Sequence, residues 1–169
     1  MKWTIFLMLA FGIFFSACKK DEIQPLVPIT GTFVNTPDPA GGFWEVTLPD
    51  GSVMPIPKKY KVSGQCTFVG TVDETKSFLE TSDIVFNPLY GFDGNLKITL
   101  YDADGDQLIH VGEYYSFQDF SNKSYLHYDG GTGKFEGAEG WLITSGQIDP
   151  VTGINTLTAA GEITEPLDK

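Results

Sequence analysis

The sequence predicts an all-β domain built on an antiparallel sheet, either closed or sandwiched. Three observations carry this expectation. From residue 59 onward, apolar and polar residues alternate with a period of two in one run after another. Turns rich in Gly, Asp and Pro separate these runs. Beyond the amino-terminal apolar segment, no stretch of ten or more residues carries a helical stripe of apolar side chains. Repeated strands and turns of this kind belong to barrels and sandwiches.

The elements follow in chain order. Seven of the ten prolines lie before residue 58, and proline donates nothing to a strand ladder. The amino-terminal third should therefore hold short or edge strands, Thr32–Asn35 and Phe43–Leu48. A breaker-rich loop at Thr36–Gly42 and a turn at Pro49-Asp50-Gly51 set their ends. Pro55 and Pro57 argue against a central strand there. Tyr60 to Gly70 alternates cleanly, and Ser77 to Phe86 forms a second extended run. Leu96, Ile98 and Leu100 alternate with Lys97, Thr99 and Tyr101 before the chain turns at Asp102-Ala103-Asp104-Gly105-Asp106. Strands are expected at Gln107–Tyr115, at Lys123–Tyr128, as one long strand over Lys134–Gln147, and at Ile154–Thr164 after the Asp149–Gly153 turn.

The first eighteen residues read as an address. Lys2 precedes a 13-residue apolar run, Trp3 to Phe15. A bilayer span needs about 20 apolar residues, so the run fits a secretory signal better than a transmembrane helix. Ser16-Ala17-Cys18 then resembles the bacterial lipoprotein signal, with Phe15 where Leu is usual. That resemblance implies a signal peptide over 1–17, diacylglycerol on Cys18, and palmitate or a similar chain completing the anchor. Residues 18–29 would form a lipidated tether and 30–169 the folded domain. The charged stretch Lys19-Lys20-Asp21-Glu22 resembles a lipoprotein export tag. The expected location is the outer membrane, periplasmic or surface-exposed.

Charge excludes whole classes of partner. The chain has 22 acidic and 11 basic residues, every basic one a Lys, for a net −11. Removal of residues 1–17 takes Lys2 away and leaves −12. Nucleic acid is excluded, because phosphate backbones need clustered cations. The absence of Arg removes the bidentate fork used for phosphate and carboxylate. With Cys18 lipidated, Cys66 has no intramolecular partner and reads as a small buried strand residue.

Eight of the 19 glycines lie between Gly130 and Gly161. A phosphate cradle at Gly131-x-Gly133 is rejected, since no Lys-Ser/Thr pair follows in the required place. Gly130-Gly131-Thr132-Gly133-Lys134-Phe135-Glu136-Gly137-Ala138-Glu139-Gly140 resembles the Gly-rich strand of the allene oxide cyclase/dirigent barrel superfamily. It is also similar to that of secreted bacterial proteins with the same barrel. Gly64-Gln65-Cys66-Thr67-Phe68-Val69-Gly70, the Asp102–Asp106 hairpin and the Gly146–Gly161 closing hairpin resemble further pieces of the bacterial group. The resemblance spans about residues 60–164. It implies a single eight-stranded, calycin-like antiparallel barrel. It carries over no catalytic residue, because none of the plant enzymes' catalytic positions is matched.

Several clusters are candidates for chemistry. Asp102, Asp104 and Asp106 offer hard oxygen donors at alternate positions, the donor type calcium takes. The spacing is not that of an EF-hand, and an acidic hairpin tip accounts for the same residues. His110 and His127 are too few for a zinc site. By alternation His110 shares a face with Leu108, Gly112 and Tyr114, where an acid–base role is open to it. Glu139 is expected on one face with Phe135, Gly137, Trp141 and Ile143, either inside a cavity or outside beside a Lys. A ligand cavity is assigned to His110, Tyr114, Tyr128, Glu139 and Trp141. Trp44, Tyr60, Tyr101, Tyr115 and Tyr125 are further aromatics for its lining or for ordinary packing.

The expected function is a non-catalytic module that binds a small apolar or glycan ligand, or engages another envelope component. The alternatives are a small barrel enzyme of cyclase or isomerase type and a structural surface protein without ligand. No cofactor is expected. Cys18→Ala should leave the protein unlipidated and mislocalised; membrane fractionation indistinguishable from the native protein would overturn the anchoring expectation.

Overall fold

The computed structural model describes residues 24–167. The export signal, Cys18 and the first part of the tether lie outside them. The described chain is all-β. Eight strands close into an antiparallel barrel: β1 (Leu26–Pro37), β4 (Lys59–Cys66), β6 (Phe78–Asn87), β7 (Gly91–Tyr101), β8 (Gln107–Phe117), β9 (Ser121–Gly131), β10 (Gly140–Ile148) and β11 (Asn155–Thr164). Their order round the barrel is β1-β11-β10-β9-β8-β7-β6-β4, and β4 returns to β1. β2 (Phe43–Thr47) and β3 (Val53–Pro57) form a separate two-stranded ribbon, and β5 (Gly70–Thr71) extends the wall beside β4.

Closure falls to the strand expected to be short. β1 has 12 residues and pairs on both sides, with β11 from Leu26 to Asn35 and with β4 from Gly31 to Pro37. It begins inside the segment read as tether. Pro28 is compatible with this for a local reason. The Thr30 N–H points to the β4 side and donates to Thr67 Oγ1 at 3.2 Å. Two residues earlier, Pro28 points the same way but lies beyond the start of the β4 pairing. No ladder bond is lost there.

Strict alternation sorts the side chains. On β8, Leu108, His110, Gly112 and Tyr114 share the inward face, as expected, and Ser116 continues it. Gly112 is a packing requirement: a Cβ there would sit 2.1 Å from the Tyr125 carbonyl oxygen on β9. β6 departs from regular alternation. A bulge between Ser82 and Val85 advances the register by one residue. Asp83 therefore stays exposed while Ile84 turns in, with Phe86 half-buried on the same face.

The single strand expected over Lys134–Gln147 is shorter. Gly133 and Gly137 adopt the left-handed region, with φ of 60° and 72°. The chain there makes a 3-10 turn, Gly133–Phe135, and β10 starts at Gly140. This turn drops Phe135 into the core, 1% exposed, among Ile29, Leu100, Leu108 and Ile163. Polar clasps hold it. Gln107 N–H donates to Thr132 Oγ1 at 2.9 Å, and Lys134 N–H donates to Asp106 Oδ2 at 3.1 Å. Large buried aromatics removed to Ala leave a cavity costing about 3–5 kcal/mol. Phe135→Ala should lower the unfolding free energy by that order in urea; a loss under about 1 kcal/mol would show that Phe135 does not fill this half of the barrel.

Candidate functional site

The barrel interior divides along its axis. One half is filled. Ile29, Leu100, Leu108, Phe135, Leu142, Ile163 and His110 are each no more than 2% exposed there. The other half opens into a cavity of about 480 Å³, within the range of small-molecule sites. Its most deeply buried lining residues are Asn35 on β1, Leu79 on β6, Leu96 on β7, Ser116 on β8 and Asn155 on β11. The β6 bulge adds Ile84 and Phe86 to the wall. The β2–β3 ribbon forms one side through Met54, Ile56 and Pro57.

Trp44 fastens the ribbon to the barrel. Its Nε1–H donates to the Thr81 hydroxyl at 3.1 Å and lies 3.3 Å from the Thr81 carbonyl oxygen. The Thr81 hydroxyl donates to the Pro57 carbonyl oxygen at 3.0 Å. Lys58 Nζ sits 4.4 Å from the centre of the Trp44 ring, a cation–π contact. The same ribbon exposes Phe43, Val53 and Met54. Phe117 and Phe120, both exposed, also line the cavity. The rim is therefore largely apolar.

The deeply buried polar groups of the cavity are neutral. Asn155 and Asn122 form a reciprocal amide pair, at 2.8 and 3.3 Å. Asn35 is 3% exposed, and among the described residues its side-chain amide has no hydrogen-bond partner. Tyr60 and Tyr114 line the cavity and lie close enough to couple electrostatically. Burial pushes both phenols above their ordinary range, the Ser116 hydroxyl acting the other way on Tyr114. Asp149 is the one charged residue lining the cavity, at its edge.

Of the five residues assigned to a ligand cavity, one lines it. Tyr114 does. His110 and Tyr128 face inward but belong to the filled half, with ring centres 4.8 Å apart. Glu139 and Trp141 are exposed on the outside. Leu142 and Thr144 take the inward positions of β10, which puts Trp141 and Ile143 on the outer face. Glu139 precedes the strand, so alternation counted back from Trp141 does not apply to it. The Trp141 indole N–H donates to Glu162 at 3.3 Å on the neighbouring strand. Tyr115 and Tyr125 pack edge-on to one another, 6.2 Å between centres, with Tyr125 exposed.

The three hairpin aspartates serve the fold. Asp102 is buried, and its Oδ1 accepts N–H bonds from Asp104 and Asp106, both at 2.9 Å. Its Oδ2 lies 2.7 Å from Lys134 Nζ. Burial raises the Asp102 carboxyl, but Lys134 and the two N–H donors outweigh it and the net shift is downward. Asp106 is tied to the Lys134 backbone, and Asp104 is exposed. The Asp102 and Asp106 oxygens are turned to the hairpin and to Lys134. Among the described residues no group of three or more His, Cys, Asp and Glu is placed to hold a metal.

No family model matches the chain, and no curated protein matches it. Solved structures do. One pterocarpan synthase dirigent protein superposes with a TM-score of 0.50 at 16% identity, covering 85% of this chain and 97% of its own. A second superposes with a TM-score of 0.48 at 13% identity, covering 86% and 90%. The fold is a dirigent-like barrel. At these identities the likeness is one of fold, and fold by itself carries no activity.

Within the dirigent-like barrel, His110 is a buried base without a good partner. Neither ring nitrogen is hydrogen-bonded among the described residues, nor is the Tyr128 hydroxyl. Burial depresses His110 to about 3, with a smaller opposing contribution from the Ile98 backbone. The same burial raises Cys66 to about 12 and raises Tyr128, so neither ionises near neutrality. A depressed folded-state value means the unfolded chain takes up the proton first. Stability from this group is whole above pH 6.5 and is lost as pH falls from there toward 3, at up to about 1.4 kcal/mol per pH unit. Carboxylates with lowered values add the same sign at lower pH. Urea unfolding at pH 7.5, 6 and 5 should therefore show a shallower decline for His110→Leu than for the native chain; parallel declines would overturn the assignment.

Proposed function

We propose that this protein is a non-catalytic binding barrel, taking a small, largely apolar ligand in its open half. One observation carries the reading: an apolar cavity of about 480 Å³ in which the deeply buried polar groups are neutral. A small barrel either fills with side chains or holds one small ligand. This one does both, in opposite halves. His110 and Glu139, the residues on which an acid–base mechanism would rest, do not line the cavity.

The Ser16-Ala17-Cys18 sequence supports a membrane-anchored protein of the outer membrane, held by lipid on Cys18. In that arrangement the direction of β1 matters. It runs from Leu26 toward Asn35 at the open half. An anchored chain would then enter the barrel at its filled end.

The neutral fluorophore N-phenyl-1-naphthylamine should bind the full chain carrying Cys18→Ala and brighten on doing so. Leu96→Trp, which fills the cavity, should weaken binding at least tenfold while circular dichroism shows the barrel intact. Trp141→Ala, on the outer face, should leave binding unchanged. Absence of saturable binding, or equal binding by Leu96→Trp, would overturn the proposal.

A further inference from the structure

The charge and hydrogen-bond inventory of the cavity selects among apolar ligands. We propose that it takes an uncharged amphiphile, an apolar body bearing one hydroxyl or carbonyl group, and that this group is received by the Asn35 amide and the Tyr60 hydroxyl. The inference rests on the reading of the cavity as a ligand site and narrows the class of ligand.

Three observations argue for it. First, ionic heads have no counter-charge. No Lys or His lines the cavity, and the chain contains no Arg. A buried carboxylate, sulfate or phosphate would lose its hydration with nothing to replace it. An ammonium fares no better, since the lining carboxylate is Asp149, on the opening. Asp149 Oδ1 already accepts N–H bonds from Val151 and Thr152, at 2.8 and 2.9 Å.

Second, one amide on the cavity wall makes no side-chain hydrogen bond among the described residues. Asn155 is satisfied by Asn122. Asn35, on the strand beside it and directly opposite Asn155 in register, is not. It is 3% exposed and lines the cavity. Its amide faces the open space, where a ligand group can pair with it. An amide offers both a donor and an acceptor, which suits a hydroxyl or a carbonyl oxygen equally. Tyr60 stands nearby: Asn35 pairs with Val62, and Tyr60 is two residues along β4 on the same inward face. Its hydroxyl makes no hydrogen bond among the described residues and stays protonated near neutrality.

Third, the walls continue apolar to the surface. Met54, Phe117 and Phe120 line the cavity and are 39%, 38% and 45% exposed. A body longer than the enclosed space would rest on these side chains, with the polar end held inside.

The test compares three probes of one chain length, 1-decanol, decanoate and decylamine, by calorimetry at pH 7.5. The protein is the full chain carrying Cys18→Ala. Decanol should bind at least tenfold more tightly than either ion. Asn35→Leu, close in volume, should weaken decanol about tenfold while leaving N-phenyl-1-naphthylamine bound. Tyr60→Phe provides a second variant should Asn35→Leu fail to fold, with a smaller loss in the same direction. Equal affinity for the three probes, a preference for either ion, or no loss in the variants would overturn the proposal. Fluorophore binding without selection for decanol would sink this inference alone. Failure of the fluorophore as well would sink the cavity reading beneath it.

Discussion

Pairing of β1 with β4 is the contact on which the rest of the structure depends. A sheet of eight strands left open would present two edges of unpaired N–H and C=O groups, and closure removes both. Closure also creates an inside. Every second residue of each strand is then enclosed by the opposite wall, so one face of alternation becomes core. The pairing from Gly31 to Pro37 with Tyr60 to Cys66 also places Asn35 and Tyr60 on the same inner surface. Without that seam there is neither core nor cavity.

The two halves of the interior solve different problems. In the filled half, the β9–β10 connection folds inward and Phe135 completes the packing. Its position is held by a polar clasp of Asp102, Asp106 and Lys134. A paired and hydrogen-bonded carboxylate is tolerable at that depth, where an isolated one would not be. His110 and Tyr128 are the exception in this half, enclosed polar groups whose side chains make no hydrogen bond among the described residues. In the open half, the β6 bulge and the ribbon do the reverse. They build walls round a space and leave it empty of side chains.

Part of the acidic surplus is structural in its local placement. Asp50, Asp119 and Asp149 each cap a turn near the opening. The Ser52 hydroxyl, the Ser121 hydroxyl and the Thr152 backbone N–H, respectively, hold their carboxyls below the ordinary range. These turns display Phe117, Phe120, Val151 and the ribbon's apolar residues at the opening. Charge thus shapes the loops while apolar side chains meet whatever approaches them. A net negative body also disfavours association with anionic surfaces.

Local chemistry by itself determined the class of fold, most strand positions and the inward face of β8. Period-two alternation and Gly or Asp turns are short-range features, and they survive intact into the barrel at Leu108 to Ser116. The same local logic failed wherever a neighbour decided the outcome. Proline content made β1 look like an edge, because proline counts ignore which side of the strand Pro28 faces. Counting alternation through Gly133 and Gly137 produced one long strand where two left-handed glycines make a turn. That slip put the buried Phe135 on one face with the exposed Glu139 and Trp141. Asn35 could have been read as inward from its spacing to Phe33 and Ile29, but its lack of a partner is a property of the assembled walls. Likewise, His110 was legible as an inward residue, while its separation from the open half was not. Sequence determines which side of a strand a residue occupies. Whether that side meets packed side chains or empty space is decided by long-range closure, because a void belongs to no single segment.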